Sequence, residues 1–291
     1  MLDGPVPGQV LTVAAAATVF TVMFDLGLGV VLREFHFVWS RPGLVARGLV
    51  AVLVIPPLIA MAVNYAFDLP RAAQVGILLM AVSPGAPVAL RRSLGAGGHR
   101  GFAPALQILV AVLAVLSLPL WVVTLERFHA GRVSVSVGDI ARQVFVAQLL
   151  PLGLGMLVRR AWPGPASWLR SRITRVSTVL LVVLVVLVLI DIWSAVVGAG
   201  VRLTLAIVVI ALLTLGAGHA LGGPDAATRT AVAVCSEARN AGLALLVATL
   251  NHAIAPIVAT VLAYLVVSAL TAVGYVLWRK HGHAVAVPSP R

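Results

Sequence analysis

The chain has 291 residues, of which 61% are hydrophobic and only 10% charged. That composition excludes an ordinary soluble domain and points to a polytopic helical membrane protein, since several runs reach the ~18 apolar residues of a spanning helix. The runs are continuous rather than alternating, which argues against a β-barrel. The formal net charge of +12 would suit nucleic acid, but the basic residues sit mostly between apolar runs, as topology signals do. No basic stripe interleaved with aromatics is present, so nucleic acid is not expected as a partner.

Met1 to Gln9 has neither a basic n-region nor a small-residue cleavage pattern and does not read as a signal peptide. Nine α-helical spans are expected. The first five are Val10–Leu32, Leu44–Phe67, Ala72–Leu90, Phe102–Leu125 and Gln143–Val158. The last four are Val176–Val197, Leu203–Leu221, Thr230–Asn251 and Ala255–Trp278. Most have the ~20 residues that a hydrocarbon core requires. Short turns such as Ser40-Arg41-Pro42-Gly43 and Trp162-Pro163-Gly164-Pro165 connect them, leaving no room for a soluble domain. Residues 281–291 read as a disordered tail. Placing the N-terminus outside puts most connector Arg and Lys residues inside, including Arg41, Arg47, Arg91, Arg92, Arg159, Arg160 and Arg279. The expected orientation is therefore N-out and C-in, in a plasma (inner) membrane. Trp39, Trp121, Trp162, Trp168, Trp193 and Trp278 lie near span ends, as an aromatic belt does.

Two spans are interrupted. The third contains Ser83-Pro84-Gly85-Ala86-Pro87, where each proline removes a donor and frees a carbonyl one turn back, near Met80 and Ser83. The eighth contains Ser236-Glu237-Ala238-Arg239-Asn240-Ala241-Gly242. A charge at mid-membrane costs roughly 2.5–3.5 kcal/mol on insertion scales, so Glu237 and Arg239 imply a task. Non-helical backbone at that depth must face protein or a wet cavity. Interrupted helices in corresponding positions of two halves point to a transporter site. Spans 2, 3 and 4 pair with spans 7, 8 and 9, span 1 pairs with span 6, and span 5 has no partner. The pattern is an inverted five-plus-five repeat that has lost its first helix.

Several side chains carry alternative readings. Glu237 and Arg239 form an ion pair that holds the break, or Glu237 couples a proton while Arg239 binds an anion through its planar fork. A third reading has Arg239 snorkelling to an interface. Pro84 and Gly85 line the cavity, and Asn240 caps the helix that follows it. Asp25, beside Gly27 and Gly29, faces the cavity or pairs locally. Gln107 reaches the site from span 4. Asp191 reads as interfacial, and Asn251 and His252 as loop groups. The single cysteine, Cys235, excludes an internal disulfide. The histidines show no metal spacing, and no nucleophile–base pattern appears, so neither a metal site nor an enzyme is expected.

Four motifs in register resemble one family. Met23-Phe24-Asp25-Leu26-Gly27-Leu28-Gly29, the stretch from Arg41-Pro42 through Gly48 to Pro57, Ser83-Pro84-Gly85 and Asn240-Ala241-Gly242-Leu243-Ala244 are similar to the bile acid:sodium symporter family. The resemblance implies a panel domain and a core domain, with two crossed broken helices in the core. Residues 1–40 would give a panel helix, 41–128 the first core repeat, 129–198 further panel helices and 199–280 the second core repeat. Aligned on Asn240, the family's sodium-binding glutamate falls on Cys235 and a nearby glutamine on Arg239. A Ser-Asn pair falls on Ala89 and Leu90, an earlier glutamine on about Val52, and a threonine on Gln107. Most sodium ligands are thus absent, although a one-residue slip would return Glu237, with Ser236, toward an ion-coupling place. The implied function is a secondary transporter of a small or amphipathic organic anion, working by alternating access and coupled to protons or to one residual sodium, with no other cofactor. An arsenite-type efflux permease is the alternative within transport, since Cys235 adjoins the break. An intramembrane enzyme on lipid-linked phosphate, or a non-transporting sensor, is the alternative from another class. The expected partners are the organic anion, the bilayer and, compatibly, further copies of the chain.

Overall fold

The computed structural model describes residues 8–29, 40–128, 137–198, 200–250 and 255–286. Among them all regular structure is helical. The chain runs through α1 (Gly8–Gly29), α2 (Pro42–Leu53), α3 (Ile55–Phe67), α4 (Arg71–Ala81), α5 (Pro87–Gly95) and α6 (Phe102–Phe128). It continues through α7 (Val137–Val144), a π-helical turn (Phe145–Leu149), α8 (Leu150–Ala161), α9 (Pro163–Gly198) and α10 (Gly200–Leu221). The last elements are α11 (Ala226–Glu237), α12 (Ala241–Leu250) and α13 (Ala255–Ala286). Six helical segments among the described residues are long and apolar enough to cross a membrane, and α11–α12 is the most deeply buried of them. The chain is an all-α polytopic membrane protein.

The apolar core is divided, and the division explains the interruptions. One large cluster gathers Ile77, Met80, Ile207, Ile210, Ala244 and Tyr264. Another gathers Met23, Val52, Ala89, Leu106, Val232 and Cys235. The chain passes from the first to the second between Met80 and Ala86, and back again between Ala238 and Ala241. The two interrupted spans therefore run in opposite senses through the same boundary. Their halves pack crosswise, α4 against α12 and α5 against α11.

Around them, α1 lies along α8 and α9. The α1–α8 approach depends on glycine: a Cβ on Gly155 would press into Phe24 O, and one on Gly27 into Leu152 O. Small residues allow helix backbones this close in a membrane, where dispersion rather than water expulsion drives association.

Several boundaries differ from expectation. Span 3 does not stop at Leu90; its second half runs to Gly95, which draws Arg91 and Arg92 out of the supposed loop and onto a helix. Span 6 begins at Pro163, not Val176. Proline fits the first helical turn, where its missing N–H is not needed, so most of the expected Trp162–Pro165 turn starts the helix. The last helix continues to Ala286, past the position where a disordered tail was expected. Span 2 is divided at Val54. Span 5 widens into a π turn, closed by Leu150 N–H donating to Phe145 O; the next residue, Pro151, has no N–H with which to continue the α pattern. Asn251, His252 and residues 287–291 lie outside the described residues, as does the side chain of Asp191.

Candidate functional site at the helix crossing

The two breaks touch. The backbone N–H of Asn240 donates to Ser83 O at 2.9 Å. Ser83 O is one of the carbonyls freed by proline chemistry, because Pro87 cannot reach back to it. The other, Met80 O, is taken by the N–H of Ser83 at 3.1 Å. Residues 83–86 and 238–240 are non-helical, and Gly85 has φ +82, a left-handed conformation that an L side chain resists. Pro84 is buried between the two halves of its span. Asn240 Oδ1 accepts from Leu243 N–H at 3.0 Å, capping α12 as a helix N-terminus requires. Among the described residues its Nδ2 has no hydrogen-bond partner.

Arg239 is 4% exposed and is spent on backbone. Nη1 donates to Val52 O at 3.0 Å and Ala81 O at 3.2 Å. Nη2 donates to Cys235 O at 3.3 Å and also to Ser236 O. Nε has no partner. These carbonyls end α2, α4 and α11. Val52 O is orphaned because Pro56 lacks the N–H that would meet it. The Glu237–Arg239 pair weighed from sequence does not form. Two residues apart on a helix they diverge by about 200°, and the unwound stretch aims the guanidinium at backbone carbonyls, two of them far away in the chain. Snorkelling to an interface is excluded by the burial.

Glu237, 1% exposed, faces Arg92 instead, with Arg92 Nη1 3.5 Å from Oε2. Among the described residues neither carboxylate oxygen makes a well-formed hydrogen bond, though the Ser268 hydroxyl of α13 stands beside it, while Arg92 also donates to Ala269 O on α13 at 3.3 Å. Arg92 therefore ties α5, α11 and α13 together. Ser236 points elsewhere: its Oγ packs toward Gly218 of α10 and has no partner. Cys235 is buried, its Sγ 3.8 Å from Gln107 Oε1. Gln107 Nε2 donates to Ala86 O at 3.0 Å, so this one amide braces both breaks from α6. Asp25 does not join the crossing. Its Oδ2 lies 2.8 Å from Arg91 Nη2, its Oδ1 accepts from Thr174 Oγ1, and Arg91 Nη1 donates to Thr178 Oγ1 at 2.7 Å.

A cavity of about 70 Å³ opens beside the second break. Val19 and Val22 of α1, Ala86, Arg239, Asn240 and Leu262 line it, so a few polar groups meet mostly apolar walls. A larger hollow of about 400 Å³ lies between α1, α5 and α9 and carries Arg100 and Arg170.

Three contributors were not anticipated. Arg91 and Arg92, expected in a connector, stand on α5; two arginines so soon after a broken helix are a usable signal. Gln148 sits fully buried on the π turn, and neither amide atom has a partner among the described residues. A Cβ on Gly85 would stand 3.7 Å from its Oε1. A lone glutamine in an apolar run was visible in the sequence; the π turn that aims it was not.

Two interrupted helices that cross at a buried polar centre define the architecture of a secondary transporter. The chain matches the Sodium Bile acid symporter family over residues 16–199, more than half its length, and it belongs to that family. The matched stretch holds the first break and not the second. The chain is also similar to the uncharacterized sodium-dependent transporter YocS of Bacillus subtilis (strain 168), at 25% identity over 155 residues. That similarity covers 53% of this chain and 47% of the relative, so it spans about half the length of that protein.

Proposed function

We propose that this secondary transporter carries a small, amphipathic organic anion by alternating access, with a proton moving through Glu237. The observation that carries the reading is the meeting of the two breaks at the Asn240 N–H···Ser83 O bond, with Arg239 and Asn240 facing a mostly apolar cavity. Helices α5 and α12 both start there, and helix N-termini favour negative charge. Asn240 Nδ2, without a partner among the described residues, suits a carboxylate or sulfonate, the Arg239 guanidinium, given to backbone carbonyls, contributes its charge rather than its fork, and Val19, Val22 and Leu262 suit an apolar body.

Glu237 is the carboxylate at the crossing. The charged or titratable groups around it are Arg92 from α5, Tyr264 from α13, and Cys235 and Arg239 on its own span. Protonating Glu237 would release Arg92 and so uncouple α11 from α5 and α13. In this reading α1, α8 and α9 form the panel and the remaining helices the moving core, in a plasma membrane with the N-terminus outside. Cys235 turns to Gln107 and does not line the cavity, so the arsenite-type alternative gains no support.

The test is counterflow in proteoliposomes with a panel of organic anions, with and without a pH gradient. Accumulation driven by an inward proton gradient is expected. In Glu237→Gln the gradient should no longer drive accumulation, while anion exchange persists. Unchanged proton-driven accumulation in that variant would remove Glu237 from the mechanism. Absence of flux for every anion would remove the carrier reading itself.

A further inference from the structure

The four carbonyls around Arg239 form the kind of cage that unwound helices offer to a hard cation: several oxygens, from separate segments, converging on one point. Val52 O and Ala81 O come from the first half of the chain, Cys235 O and Ser236 O from the second. Each belongs to the C-terminal end of a helix, where the partial charge is negative. In this chain the cage is already filled. One guanidinium nitrogen serves each half, so a single side chain links the two interrupted spans and satisfies oxygens that lipid could not.

We propose that Arg239 is the resident cation of the carrier, a tethered positive charge in the place where the crossing would otherwise need a bound sodium ion. Transport therefore proceeds without sodium at this point. The inference rests on the carrier reading above and sharpens its coupling.

The residues that line this cage do not fit sodium. Ala89 and Leu90 are buried apolar side chains, and Val52 and Cys235 supply no side-chain oxygen. Gln107 Oε1 faces the Cys235 thiol, and the amide nitrogen is held by Ala86 O. The four converging carbonyls are engaged by the guanidinium. A mobile cation brought beside that fixed charge would be repelled in a medium that screens poorly. Arginine suits the role better than lysine, because its planar fork presents two nitrogens at fixed separation, each serving two acceptors here.

The test uses the purified full chain, comparing sodium chloride with choline chloride at equal ionic strength. Wild type should show the same thermal midpoint and the same anion exchange rate in both salts. Arg239→Gln removes the tethered charge, opens the cage and adds an amide oxygen. Its midpoint should rise by several degrees with sodium but not choline, and its exchange should be roughly tenfold faster in sodium. Arg239→Lys should keep a resident charge and stay indifferent to sodium.

Sodium stabilisation or stimulation of wild type would overturn the proposal. So would a folded Arg239→Gln variant with no sodium response. If that variant does not fold, wild type and Arg239→Lys still decide: indifference in both supports the tethered charge, and a sodium response in either overturns it. Absence of exchange for all anions would strike the carrier reading, while the midpoint comparison would still report on the cage.

Discussion

Asn240 performs two tasks with one amide, and the tasks can be separated. Its oxygen caps α12 through Leu243 N–H, and its nitrogen has no partner within the described residues. Asn240→Ala should lose the cap and about 1 kcal/mol of stability, seen as a lower thermal midpoint in detergent. Asn240→Asp should retain the cap but bury a carboxylate, so its midpoint should fall too, and it sets that carboxylate against an anionic substrate. Its exchange KM should rise sharply, far more than in Asn240→Ala. Equal transport by the Asp variant would show that the free nitrogen does not meet the anion. Gly85 gives a second case: at φ +82, Gly85→Ala should cost about 1–2 kcal/mol of stability from backbone strain alone. The Asn240 cap was legible in the sequence because a cap needs only the next turn; Gly85 reads in the sequence as lining the cavity, and its left-handed turn was not anticipated. Arg239 was visible as an anomaly, but its partners were not. Its acceptors Val52 and Ala81 are 187 and 158 residues away, and no local spacing rule reaches that far.

At the scale of elements, proline accounts for more of the architecture than the two recognised breaks. Pro56 and Pro57 deprive Val52 O and Leu53 O of their helical donors. Arg239 supplies the first at 3.0 Å and Trp121 Nε1 the second at 2.9 Å. Trp121 was expected to belong to an aromatic belt; its indole N–H instead repairs a helix from α6. Trp121→Phe should therefore cost about 1 kcal/mol, the net loss of a hydrogen bond to a part-buried carbonyl. In a Pro57→Ala background, where residue 57 regains an N–H able to serve Leu53 O, the same substitution should cost much less. A double-mutant cycle on thermal midpoints measures that coupling, and strict additivity would show that the indole contributes only packing. The number and order of the helices were readable because each apolar run must span a fixed thickness. Their ends were less readable. Prolines at Pro163 and Pro87 start helices as readily as they stop them, and the π turn before Pro151 leaves no period in the sequence.

At the scale of the whole molecule, alternating access requires one group of helices to slide past another, and the structure shows a tie across the proposed sliding surface. Asp25 of α1 binds Arg91 of α5 and Thr174 of α9, and Arg91 also reaches Thr178. This latch joins the downstream half of the first break to two helices of the proposed panel. Arg91 is 44% exposed, so solvent screening limits the pair to roughly 1 kcal/mol, about a fivefold bias between two states. That is enough to favour one conformation and too little to freeze it. Asp25→Asn should therefore shift the population rather than unfold the protein. The shift can be followed with a thiol probe, since the single native cysteine can be replaced in a Cys235→Ser background. Val88, partly buried beside the cavity, then becomes the reporter as Val88→Cys. Adding Asp25→Asn should raise its labelling by a membrane-impermeant reagent about fivefold from one side of the vesicle and lower it from the other. Arg91→Gln should do the same, and the double variant should add nothing, because both remove one contact. Equal change on both sides would indicate general loosening. No change on either side would mean that α1 and α5 move together, and the sliding surface would then have to lie elsewhere.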